Sequence, residues 1–369
     1  MRAYLDHAST APLRDSAFAA MRPLLESSFG DPGRLHAEGR ATRVALENSR
    51  EAVAEFFGAR PREVVFTSSG TEAVNTAVAG AFARAGGGHA VTTAVEHSCV
   101  RDAVARGATD VTVVGVDRFG RFSVDDVVGA VRPDTTFVSL QLANHEVGTV
   151  QPAVQTCAAL RERGVLVHVD ACAAAGHMPV DFAALGADLC SVTAHKFGGP
   201  LGAGALLVRR GLRIPPLLVG GAQERARRGG IENVPAWVGF GAACAVIDVE
   251  AESSVQQALI ERAATVFDLV ADIERFGDGS LPNVLCLGVG GVEAEPILLA
   301  LDQHGVAVHS GSACSSETLE PSPILEAMGV DADRSLRISV GWSSTTADVR
   351  QFVEVFPGIV ERLRGLRAV

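Results

Sequence analysis

The stretch LCSVTAHKFGGPLGAG, Leu189 to Gly204, decides how this chain is read. It opens as a short apolar run, ends that run in small residues, and passes through His195 and Lys196 into a Gly/Pro-rich loop. Such a run reads as a buried strand of a parallel sheet, and open α/β sheets collect ligands outside the carboxyl ends of their strands. Lys196 is the only lysine in 369 residues; the other 31 basic residues are arginines. Solvated surface positions accept that exchange because they need only a positive charge. A position that keeps lysine needs an amine that can lose its proton and attack a carbonyl, which a guanidinium does not do. The residue is marked as a Schiff-base nucleophile.

Working outward, the neighbouring segments repeat the same alternation of apolar β-branched runs and helical spacing, the signature of βαβ units. Strands are expected at 62–70, 89–95, 110–116, 135–143, 165–171, 189–194 and 204–210. Helices are expected at 71–85 and 153–164. Past about residue 230 the texture changes. Residues 232–277 read as one or two long helices interrupted near Glu252–Val255. Runs at 283–289, 305–311 and 335–341 read as strands, with helices at 294–305 and 346–366. The expected fold class is α/β: a large domain with a mostly parallel seven-stranded sheet, and a smaller α+β domain. The expected division gives 12–253 to the large domain, and 1–11 with 254–369 to the small one.

Composition narrows the function. With 47% apolar residues the chain can fill large cores, so global disorder is excluded. A net charge of −11 argues against direct nucleic-acid binding. No apolar run approaches the ~20 residues of a membrane span, and the start MRAYLDHASTAPLRD has no apolar signal core. Seven scattered cysteines, an odd number with no CxxC pair, fit neither a disulfide framework nor a structural zinc site. A cytoplasmic enzyme without a metal centre is expected.

The chemistry then rests on a few residues. Asp170 ends the run 165–171, at the level of Lys196 in the sheet. A carboxylate that keeps a pyridine nitrogen protonated, beside a Schiff-base lysine, is the pair that pyridoxal phosphate requires. Ser69-Gly70-Thr71-Glu72 stands at a strand-to-helix junction, where free backbone N–H groups attract a phosphate. A plain helix cap gives the same pattern. His97 follows the run 89–95, where an imidazole could stack on the ring and shuttle protons. Cys314 lies in the polar stretch VHSGSACSSETLEPS, a setting for a thiolate nucleophile; the other six cysteines read as small buried hydrophobes. Arg337, in SLRISVG, fits a clamp for a substrate carboxylate.

These motifs, with YLDHAST, FGDPGRLHAEG, NHEVGTVQP, HVDACAAAGH and GGAQERARRGG, run nearly end to end. In that order the chain resembles the class V aminotransferase-like pyridoxal enzymes, and within them the cysteine desulfurases with a long catalytic loop. The resemblance implies a fold-type I homodimer with the cofactor near the subunit interface. It implies Lys196 as the Schiff-base lysine, Asp170 at the pyridine nitrogen, His97 stacked on the ring, and Gly70, Thr71, Thr193 and His195 around the phosphate. Cys314 matches the persulfide-forming cysteine. Arg337, with Asn144, matches the substrate site.

Three departures stand out. Ala173 takes the place of a Gln that bonds the cofactor's phenolic oxygen, His145 replaces an Asn near that oxygen, and Ile231 replaces a Thr that reaches the partner subunit's phosphate. His145 is expected to take over the lost contact and to titrate near neutrality. The implied reaction removes sulfur from L-cysteine, gives L-alanine and leaves a persulfide on Cys314 for an acceptor protein. A selenocysteine lyase or related C–S lyase, or a pyridoxal-binding scaffold of reduced activity, remains the alternative.

Overall fold

The computed structural model describes residues 2–310 and 321–367. Its centre is a seven-stranded sheet of β1 (Val64–Thr67), β2 (His89–Thr93), β3 (Asp110–Val114), β4 (Thr135–Gln141), β5 (Leu166–Asp170), β6 (Leu189–Thr193) and β7 (Gly204–Val208). The strand order is β1-β7-β6-β5-β4-β2-β3. Only β7 runs against its neighbours; the other adjacent pairs are parallel. The carboxyl ends of β1, β2, β4, β5 and β6 therefore share one edge. β2, β6 and β7 are buried along their whole length, because helices cover both faces. β3 lies at the end of the sheet and is half solvated.

The helix Gly70–Ala85 starts three residues after β1, with Ser69 as N-cap accepting from the Glu72 N–H at 3.1 Å. β1 is pinned from a distance. Glu224 accepts from Arg50 Nη1 and Nη2 at 2.7 and 2.6 Å and from the Phe66 N–H at 2.9 Å. The residues 224–226 all have positive φ, 49°, 60° and 60°, an uncommon backbone for side-chain-bearing residues. The ion pair and the β1 contact hold that bend in place.

A second sheet follows: β8 (Ile273–Phe276), β9 (Val284–Val289), β10 (His309–Ser310) and β11 (Ser335–Ser339), in the order β10-β11-β9-β8, all antiparallel. The N-terminal strand Ala3–Tyr4 pairs with Val306–Ala307. Ala3 and Leu5 pack into the same core as Leu285, Leu287, Leu336, Ile338, Phe352 and Phe356. The segment Ala3–Leu5 thus lies within the C-terminal part, and the helix Val249–Ala263 spans the expected division at 253/254.

The seven-stranded, mostly parallel sheet with a smaller α+β part is as expected. The reading of 232–277 is corrected. The break falls at Ala245–Asp248, where Asp248 caps the next helix by accepting from the Ala251 N–H, and helix runs unbroken through Glu252–Val255. Ile273–Phe276 is an edge strand, held by pairing with β9, a contact no local pattern contains. The run 305–311 splits at Val308 into two short strands in different sheets.

Candidate active site

At the shared carboxyl edge lies a cavity of about 280 Å³. Most of the functional residues reach it from strand ends or from the turns that follow them. Asp170 closes β5, Thr193 closes β6, and His195 and Lys196 follow in the turn into the Gly-rich loop. Gly70 and Thr71 come from the first helical turn after β1, and His97 from the N-cap of the helix Ser98–Gly107. His145 lines the cavity from the loop after β4, and Arg337 rises from β11 of the second sheet. Residues spread from Gly70 to Arg337 so converge on one space, with the chain's single lysine among them.

The electrostatics favour neutral imidazoles around an amine. Burial first, and then the Lys196 charge, hold His195 down at about 4 and lower His97. His97 Nδ1 accepts from the Cys99 N–H at 3.1 Å, so the proton of the neutral ring sits on Nε2. Asp170 Oδ1 accepts from the Cys172 N–H at 2.9 Å, which fixes the carboxylate's direction. Glu96, buried behind the site, is pushed up to about 8, mainly by desolvation and also by the Asp170 charge.

The cavity residues fit a phosphorylated pyridine aldehyde. Thr193 Oγ1 and His195 Nδ1 are buried with no hydrogen-bond partner among the described residues. Polar groups in that condition are rare unless a ligand completes them. Gly70 lies against Cys172, where an added Cβ would stand 2.5 Å from the sulfur. Backbone N–H groups of this first turn are left bare, the arrangement that binds phosphate. Lys196 brings an amine to the same space and Asp170 a carboxylate.

Two expectations are corrected. Asn144 does not line the cavity. It is fully buried, its Nδ2 donates to Val95 O and Gln141 Oε1 at 3.2 Å, and its Oδ1 accepts from the N–H groups of Glu146 and Val147. Its amide shapes the turn that presents His145. His145 itself does not titrate near neutrality: burial, then the charges of His97, Lys196 and Arg337, hold it well below the usual imidazole range. Cys314 lies outside the described residues. The N-cap reading of the Ser69 motif holds: Ser69 Oγ accepts from the Glu72 N–H.

Besides Ala8 and Ala143, the sequence reading missed four cavity residues with polar or thiol side chains: Ser9, Cys99, Gln141 and Cys172. Cys99 and Cys172 follow His97 and Asp170 by two residues, a spacing that would have placed them at the same edge. Ser9 lies in the motif YLDHAST, but nothing local ties it to the cavity, because only the packing of the N-terminal segment against β11 brings it here.

Similarity to known proteins agrees with this geometry. The model of the class-V aminotransferase family matches residues 3–352. A cysteine desulfurase IscS of Dictyoglomus turgidum is 40% identical, over 98% of this chain and 95% of that protein. The solved structure of a NifS-like protein superposes with a TM-score of 0.91 at 30% identity, over 98% of this chain and all of that one. The structure of SspA in complex with cysteine matches with a TM-score of 0.83 at 29% identity, over 94% of this chain and all of that one. The architecture is the fold-type I arrangement of pyridoxal-phosphate enzymes. With its strand-end cavity and nearly complete match, the chain belongs to the class-V aminotransferase family.

Proposed function

We propose that the protein is a pyridoxal-phosphate-dependent cysteine desulfurase, which takes sulfur from L-cysteine and releases L-alanine. One observation carries the reading. The only lysine of the chain stands in one cavity with Asp170, His97, and two polar groups, on Thr193 and His195, that have no partner among the described residues. The named relatives support the choice of substrate.

Lys196 would hold the cofactor covalently, Asp170 its pyridine nitrogen, and Gly70, Thr71, Thr193 and His195 its phosphate. When bound, the cofactor draws electrons from the carbon skeleton of the attached amino acid. Once the substrate's amine has taken the place of the Lys196 amine, the freed Lys196 and His97 would move protons at the substrate, His97 through Nε2. Arg337 receives the substrate carboxylate, and buried neutral His145 closes the cavity beside it. The Cys314 thiolate attacks the substrate sulfur. The new S–S bond forms as the C–S bond breaks; the electron pair stays with carbon, which takes a proton to become alanine. The persulfide passes to an acceptor protein.

A homodimer belongs to the same proposal, as the resemblance of the sequence implies. The described cysteines are all free thiols, which supports a reducing, cytoplasmic setting.

Two variants test the proposal. Lys196→Arg should abolish the cofactor's visible absorption, and borohydride should attach cofactor mass to the Lys196 peptide alone. Cys314→Ser should keep the absorption and respond to cysteine, yet release almost no sulfide or alanine. Cofactor attached elsewhere, or alanine formed at the wild-type rate by Cys314→Ser, would overturn it.

A further inference from the structure

Arg337 enters the cavity already held. Its Nη2 donates to Asp6 Oδ1 and to Ser9 Oγ, both at 2.8 Å, and Ser9 Oγ donates to the same Asp6 oxygen at 2.9 Å. Its Nη1 donates to the His145 carbonyl at 3.0 Å, while Nε is buried with no partner among the described residues. The Arg337 side chain is 1% exposed and that of Asp6 17%. Asp6 is not there by accident of a loose terminus. Tyr4 Oη donates to its carbonyl, and it bridges to Ser339 on β11.

A buried guanidinium that faces one carboxylate is already neutralised. A second carboxylate reaching it gains little net charge attraction and meets the repulsion of the first. We propose that Asp6 sets the affinity of the carboxylate subsite: it competes with substrate and product for Arg337 and so keeps alanine loosely held. Ser9 is its positioning residue, since its hydroxyl ties Asp6 Oδ1 to the Arg337 fork. The inference rests on the reading of Arg337 as the receptor of the substrate carboxylate. A purely structural Asp6 has the opposite signature, because losing it would disorder the fork and weaken carboxylate binding.

The test is calorimetric titration of the holoenzyme with L-alanine, and with ethylamine as the same molecule without its carboxylate. Asp6→Asn should bind L-alanine roughly tenfold more tightly, the scale of a hydrogen bond to a charged group, and leave ethylamine unchanged. Ser9→Ala should tighten alanine binding by a smaller factor, and decides the matter if Asp6→Asn does not fold. Alanine bound equally or more weakly by the folded variants, or ethylamine tightened as much as alanine, would overturn the inference. Arg337→Gln should lose alanine binding; wild-type affinity there would overturn the reading of Arg337 itself.

Discussion

Gly70→Ala tests the phosphate cradle through a single methyl group. A Cβ at residue 70 would stand 2.5 Å from Cys172 Sγ, while Thr193 Cβ at 3.4 Å and Cys172 Cβ at 3.7 Å are in ordinary contact. Only the sulfur is too close, by about 1 Å. It must swing away or the first helical turn must shift, and overpacking of this kind costs about 1–3 kcal/mol. The first turn is where the phosphate would bind, so that cost falls on the loaded state. Cofactor affinity should drop about 10- to 100-fold, the equivalent of about 1.4–2.7 kcal/mol. The assay is titration of apoenzyme with pyridoxal phosphate, followed by absorption. Cys172→Ala alone should change affinity little, and in the double variant Gly70→Ala/Cys172→Ala the affinity should return to within about threefold of Cys172→Ala, because contacting residues are not additive. A double variant as weak as Gly70→Ala would refute the steric argument, and a Gly70→Ala enzyme that binds like wild type would refute the cradle.

Two further outcomes concern stability. Glu224→Gln takes the bidentate carboxylate from buried Arg50 beside the positive-φ bend and leaves it only Glu47, at 3.3 Å on Nε; about 3 kcal/mol should be lost in denaturant unfolding, against a near-neutral change for Glu354→Gln, which breaks the exposed pair Arg350–Glu354. Stability should peak near pH 6.5. His7, His168 and His177 are held at about 4, chiefly by burial; the stability this confers is complete above their unfolded value and is lost as pH falls. Glu96 and Glu146, raised by desolvation to about 8 and about 7, bind protons more tightly when folded, so their contribution is lost as pH rises from about 4.5 toward 8. Unfolding midpoints at pH 5.5, 6.5 and 8 check the peak. A midpoint that still climbs from 6.5 to 8, or an alkaline decline that Glu96→Gln leaves intact, would contradict the assignment.

The sequence by itself determined the sheet and its chemical edge. Apolar β-branched runs can be satisfied only by burial between helices, and the residues that end them lie at one edge by the directionality of parallel strands. That places Lys196, Asp170, His97 and Gly70 together without any contact being known, and the absence of every other lysine says which of them carries the chemistry. What only the tertiary structure decided concerns contacts between distant parts. The pairing of Asp6 with Arg337 joins the N-terminal segment to β11. Its partner choice follows from the packing of Ala3 and Leu5 into the C-terminal core, which no local periodicity encodes. Asn144 and His145 are adjacent, yet one turns inward to hold the backbone and the other lines the cavity. Local pattern gives both the same polar signal. The protonation of His145 likewise follows from burial and from charges on three other segments, and those are properties of the fold rather than of its own neighbours in the chain.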